Sequence, residues 1–365
     1  MTDTAIPHGE DTLPDRLKPI RSLFLFLALG MLAPVAVYAS NGTVPLLAVG
    51  ALAGATAALA GGLKQFARSA SGVSLILLLS WIVLSLSWSI STDDASWLAF
   101  ILIALNFVGF VFVTAVMQLE PGRARTAQKI LILGTMAMIG LFIAEAVTGG
   151  IVLKLLDKPE SIIMNTVGRG TTILAVILWP ALVLAQTRFR TLLIPAMLLI
   201  GAAAAAYLLP VDAAFIAVMA GTIFFFGILY ARRIALAVLA AVLALGILSG
   251  PWLFLNVLNI GALTEIGIKV PESREHRLSI WQFVAGKIAE KPAFGQGLGA
   301  AREIGRAEQQ RYEALQARQT DHLSIHEIRL PLHPHNIPLQ IWLELGAVGV
   351  LLYLGILFGI IRHLW

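Results

Sequence analysis

Of the 365 residues, 58% are hydrophobic and only 13% are charged, and the mean hydropathy is +0.85. A soluble globular domain carries roughly 25% charged residues, so this balance excludes one and predicts an all-α, polytopic membrane protein. The absence of cysteine excludes disulfides, thiol nucleophiles and thiolate metal sites, and the formal net charge of +5 asks where the basic residues lie.

A bilayer-crossing helix needs roughly 20 mainly apolar residues. Windows of that size give ten candidate spans: 22–39, 44–62, 73–90, 96–118, 128–148, 170–186, 191–208, 212–230, 234–256 and 337–361. The runs are continuous and rich in Leu, Ala, Ile and Gly, whereas a membrane β-barrel would show short alternating segments. About twenty polar residues precede the first run, and that run is long enough to span, so it is expected to be retained rather than cleaved as a signal peptide. The GALAG stretch at Gly50–Gly54 predicts close helix packing in the second span.

Basic residues mark every second connection. Arg16, Lys18 and Arg21 precede span one, Lys64 and Arg68 follow span two, and Arg123, Arg125 and Lys129 follow span four. Arg188 and Arg190, Arg232 and Arg233, and Arg362 complete the series. The intervening turns near Asn41, Asp93 and Val211 carry none, so the positive-inside rule places both ends of the chain in the cytoplasm. The expected layout is a cytoplasmic tail (1–21), spans one to nine (22–256), an outer loop with short amphipathic helices (257–336) and the tenth span with its cytoplasmic end (337–365).

Two outer connections are long, 149–169 and 256–336, and loops of that length usually carry function. The second holds five of the seven histidines and ten Lys or Arg residues. Basic residues divided between topology and the far side of the membrane argue against nucleic acid and for an anionic ligand outside the cytoplasm, to which Arg offers bidentate geometry.

Within that loop REHRLSIWQFVAGKIAEKP reads as an amphipathic helix, with Leu278, Trp281, Val284 and Ile288 at three- and four-residue spacing. PAFGQGLGAARE then turns on Gly295, Gly297 and Gly299. No strand precedes it, so a close turn is preferred over a dinucleotide fingerprint. LPLHPHNIPLQIWLELG sets His335 and Asn336 against the tenth span, where Asn336 suits an N-cap and Pro338 the first helical turn. A histidine beside the positive end of a helix is biased toward its neutral, proton-accepting form. Glu344 lies two turns in, where a carboxylate is costly and invites either a functional role or a packing role. Glu145 and Asn106 have no motif partner and read as packing residues. Asp93 and Asp94 read as helix caps.

HRLSIWQFVAGKIAEKPAFGQGLG, followed some thirty residues later by HPHNIPLQIWLELGAVGVLLYLGIL, resembles the signature region of the O-antigen ligase and O-antigen polymerase superfamily. Arg277, Trp281, Pro292, Gly295, Gly297, His335, Asn336, Glu344 and Gly346 match its pattern. LSWSISTDDASW and NTVGRGTTILAVILWP are weaker matches. Members usually have about twelve helices, so ten candidates imply a short member or a partial chain.

The resemblance implies a metal-independent, inverting glycosyltransferase of the bacterial inner membrane, without a cofactor and with the 257–336 loop in the periplasm. Its donor is a glycan on undecaprenyl diphosphate, and its acceptor is a hydroxyl of lipid A-core or of another glycan. Membrane lipids are further partners and nucleic acid is not. On this basis Arg169 and Arg277 are expected to hold the diphosphate, with Arg274 as a second candidate, and His335 to act as general base. Asn336, Glu344 and Trp281 are candidates for binding donor or acceptor. Ligase is the first expectation, polymerase the alternative, and a non-enzymatic lipid-linked-glycan transporter the third. A zinc site built from His333 and His335 with His326 or His322 is disfavoured, because Pro334 constrains the pair and no acidic residue lies nearby.

Overall fold

We describe the protein from a computed structural model, in which residues 18–54, 58–91, 94–157, 159–189, 191–209, 212–258, 260–265, 272–316 and 330–365 are described. Among these, all regular structure is helical. In chain order the helices are α1 (Lys18–Tyr38), α2 (Thr43–Ala51), α3 (Ala58–Arg68), α4 (Ala70–Ser85), α5 (Ala95–Met117), α6 (Pro121–Thr148) and α7 (Ile151–Leu155). They continue with α8 (Glu160–Arg188), α9 (Leu193–Leu208), α10 (Asp212–Asn256), α11 (Ile260–Glu265), α12 (Glu272–Glu290), α13 (Ala300–Gln316) and α14 (Ile337–Leu364).

The protein is an all-α, polytopic membrane protein. Among the described residues, α5, α6, α10, α14 and the Asn165–Arg188 part of α8 are long and apolar enough to cross a bilayer. The Gly61–Arg68 segment and α4 would form a sixth span as a pair bent by 90°, and α1 and α9 are shorter apolar helices. Large side chains such as Leu133, Ile200, Ile223 and Leu245 stand exposed along these helices, as expected where lipid rather than water is the solvent.

Three expected elements differ. The second span is not one helix: α2 runs through a short 3-10 turn at Leu52–Gly54, and α3 carries Lys64 and Arg68 within it. Hydropathy reports how apolar a window is and not whether its helix is continuous. Close packing at Gly54, where a Cβ would overlap the Val111 carbonyl, marks the interruption.

The expected connection 149–169 is largely helical, with α7 inside it and α8 starting ten residues ahead of its apolar run. NTVGRG looks like a loop because it is polar and glycine-bearing. Its glycine instead lets a helix approach closely, since a Cβ on Gly170 would overlap the Ala36 carbonyl of α1.

Spans eight and nine are joined in α10 by a break at Ala231, with φ −143° and ψ 58°, directly before Arg232 and Arg233.

Two compact units divide the chain, 1–63 with 105–230 and 64–104 with 231–365. In the first, α1, α6, α8 and α9 enclose a core that includes Val37, Met138, Phe142, Leu178, Leu182 and Leu198. In the second, α4 packs along α14, with Leu78, Ile82, Leu298 and Leu345 between them. There the inner face of α12, through Ile280, Val284 and Ile288, meets Leu339 and Leu343 of α14. The 3.6-residue period of that face is the pattern legible in the sequence.

Candidate active site

The glycine turn after α12 and the break in α14 are two halves of one structure. Gly346 interrupts α14 with φ 65° and ψ −165°, so the helical bonds that Ala347 and Val348 would donate to Leu343 and Glu344 do not form. The turn replaces them reciprocally. Gln296 donates to the Leu343 carbonyl at 2.8 Å and Gly297 to the Glu344 carbonyl at 2.9 Å. Ala347 donates to Pro292 at 2.9 Å and Val348 to Ala293 at 3.3 Å. Gly295, Gly297 and Gly299 all have positive φ, which the turn requires to bring its backbone this close. A Cβ on Gly295 would lie 2.6 Å from the Glu344 carbonyl carbon.

Glu344 is 6% exposed. Its carboxylate accepts from the Ala301 backbone N–H at 3.4 Å and from the Gln340 amide at 3.3 Å. The acceptor therefore lies at the N-terminal turn of α13, where a carboxylate complements orphan N–H groups and the helix dipole. These two bonds are packing contacts, and none of its bonds among the described residues is to an arginine side chain. Asp94 pairs with Arg306 of α13.

The His-Asn step is anchored from α12. Trp281 donates its indole N–H to the Pro334 carbonyl at 2.9 Å and packs its ring on Phe254, centroids 5.0 Å apart. Asn336 caps α14, its side-chain oxygen accepting from the Leu339 N–H at 3.2 Å. Trp281 and Asn336 thus hold the loop in place, whatever else they contact. Between them His335 adopts φ 51°, a left-handed conformation uncommon for a residue with a Cβ. Its ring is exposed at the surface.

His335 stands in a cationic surrounding. Partial burial, followed by the like charges of His333, Arg277 and His276, holds its pKa below the ordinary histidine value. The ring of His333 packs edge-on against that of His335, centroids 4.2 Å apart. The sequence brought Arg277 and His335 together through resemblance alone. It weighed His333 only as a disfavoured metal ligand and gave no role to His276, although the latter adjoins Arg277 in the chain.

Arg277 is exposed at the start of α12, and no ion pair is formed by it among the described residues. The side chain of Arg274 lies outside the described residues, as do His322 and His326. Arg169 belongs to the first unit, where its guanidinium donates to the Asn41 side-chain oxygen. An amide acceptor leaves the positive charge uncompensated, unlike a carboxylate. Among the described residues, no three His, Asp or Glu side chains gather as a metal site would require.

Residues 196–354 match the family described as O-antigen ligase. The chain is 29% identical over 267 residues to "Putative polysaccharide ligase" of Rickettsia conorii and likewise to that of Rickettsia bellii, and 27% identical over 270 residues to that of Rickettsia felis. Each comparison covers 71% of this chain and 60% of the relative, so the chain spans about 60% of the length of these curated relatives. No solved structure matches at a significant level. The matched segment contains the turn, the broken helix and the His-Asn step, so the similarity to the O-antigen ligase family lies on the part of the chain that carries the candidate site.

Proposed function

We propose that the protein is an O-antigen ligase, which transfers a glycan from undecaprenyl diphosphate to a hydroxyl of lipid A-core at the periplasmic face of the inner membrane. The observation that carries this reading is the placement of His335 among His333, His276 and Arg277, with its proton affinity lowered by burial and by those like charges. A histidine that stays neutral through the physiological range can accept a proton.

In the proposed reaction His335 removes the proton of the acceptor hydroxyl as its oxygen attacks the anomeric carbon of the donor sugar. The bond from that carbon to the diphosphate breaks, and undecaprenyl diphosphate leaves with the electron pair. A single displacement inverts the configuration. Arg277 holds the diphosphate and offsets the charge that develops on it. His335 then carries the proton as an imidazolium and releases it to water. On the strength of the resemblance, Arg169 of the first unit is a further candidate for binding the donor.

The names of the relatives support ligation over polymerisation. The test is transfer by purified protein with a defined undecaprenyl-diphosphate-linked glycan, offered lipid A-core and a second lipid-linked glycan in competition. Labelled lipid A-core is the expected product. Exclusive extension of the lipid-linked glycan would assign a polymerase instead, and movement of donor across vesicles without a new glycosidic bond would assign a transporter. His335→Gln and Arg277→Ala are each expected to lower turnover by at least about a hundredfold in protein that remains folded. Full turnover in either would remove that residue from the mechanism.

A further inference from the structure

The second unit carries a groove of about 550 Å³ that the proposed reaction does not use, between the end of α4 and the turn after α12. Its wall is aromatic. Trp81 lies 5.2 Å from Trp88 and 5.8 Å from Phe294, and Trp88 lies 6.4 Å from Phe294, ring centre to ring centre. Trp81 directs its indole N–H to the Leu345 carbonyl at 3.0 Å, so its polar edge is satisfied by protein. Phe294 is 58% exposed, yet it sits in a turn held to α14 on both sides.

Among the described residues, Lys291 is the one charge that lines the groove. Its neighbour Glu290 is paired to Lys287 at 2.8 Å, and Lys291 forms no ion pair among the described residues. An apolar trough with one uncompensated cation at its edge is complementary to an amphiphile with an apolar chain and one negative headgroup. Aromatic rings favour the level where chains meet headgroups, and a lysine there reaches toward phosphate.

The groove is remote from the histidine cluster. Fourteen residues separate Arg277 from Lys291 along α12 and its end, about 20 Å at helical rise.

We propose that this groove binds an anionic phospholipid, one acyl chain along Trp81, Trp88 and Phe294 and its phosphodiester at Lys291. A lysine at a membrane surface favours an anionic lipid by roughly fivefold. The test is equilibrium binding of phosphatidylglycerol and of phosphatidylcholine to the full chain in detergent. Phosphatidylglycerol is expected to bind about fivefold more tightly. Lys291→Gln should make the two lipids equal, and Leu84→Trp, which fills the trough, should weaken both.

Phosphatidylglycerol brominated in its chain should quench tryptophan fluorescence in the unsubstituted protein, and less so in Trp88→Phe, so the assignment is checked without altering the trough's charge. Equal binding of the two lipids to the unsubstituted protein would overturn the proposal, as would selectivity that survives Lys291→Gln or quenching unchanged by Trp88→Phe. Preferential displacement of the phospholipid by a polyprenyl phosphate would assign the groove to a prenyl chain instead and overturn it equally.

Discussion

Replacing Gly346 by alanine should destabilise the second unit by about 2–3 kcal/mol, and two routes lead to that figure. If the break is kept, the new side chain sits at φ 65° and ψ −165°, a region open essentially to glycine alone, at a cost of roughly 1–3 kcal/mol. Its Cβ also falls 2.5 Å from the Gly295 nitrogen and overlaps the Ala293 carbonyl. If the break closes into regular helix, two intrahelical bonds return but the four bonds to the turn are lost. At about 1 kcal/mol each, that is a net loss of about 2 kcal/mol, before any effect on the bond from Trp81 to Leu345. The assay is equilibrium unfolding in mixed micelles, where 2–3 kcal/mol raises the unfolded-to-folded ratio roughly 30- to 150-fold. Gly286→Ala is the control, because its Cβ meets nothing within 4 Å and a helical Gly-to-Ala change stabilises by roughly 0.5–1 kcal/mol. If Gly346→Ala unfolds within about 0.5 kcal/mol of the parent protein, the reciprocal exchange between turn and helix is not a source of stability.

The pH profile of transfer should have an acid limb below the ordinary histidine pKa, since the lowered affinity of His335 keeps the base neutral to more acidic pH. His333→Asn removes one of the like charges and should move that limb upward; an unmoved limb would mean that the two rings do not interact electrostatically. Asn41→Asp should compensate the Arg169 charge and lower affinity for the lipid diphosphate, whereas Asn41→Ala should retain most of it; equal effects on donor KM would indicate that Asn41 matters only for packing. Glu344→Gln should cost about 1 kcal/mol in unfolding through a weaker helix cap and leave turnover nearly intact; abolished turnover in protein of parental stability would place Glu344 at the acceptor.

What was legible in the sequence depended on the range of the interaction. Amphipathic α12, the N-cap at Asn336 and the first turn of α14 are local patterns, and each lies where spacing predicts it. The turn at Gly295, Gly297 and Gly299 was legible as a turn but not as the partner of Gly346, because the bonds that join them cross about fifty residues of chain. His333 was weighed only as a metal ligand and disfavoured because Pro334 constrains the pair and no acidic residue lies nearby, whereas its ring packs edge to face on that of His335. Arg169 was expected on a loop and sits on α8, since polarity in NTVGRG conceals a helix that approaches α1 through glycine. The side chain of Arg274 lies outside the described residues.

The two irregular positions, His335 and Gly346, delimit the first three turns of α14, and both are secured by α12 or by the turn that follows it. Trp281 of α12 holds Pro334 at the near end, and residues 292–297 bond to Leu343, Glu344, Ala347 and Val348 at the far end. Ile280, Val284 and Ile288 fill the space between. Arg277 is carried on the same helix, one turn from Trp281. Arg277 is therefore placed by α12 itself, and the loop that carries the proposed base is tied both to α12, through Trp281, and to the cap of α14, which helps to hold the two groups in register. In this chain Trp281 and the glycines at 295 and 297 build the contact between α12, its turn and α14, beside which Arg277 and His335 lie.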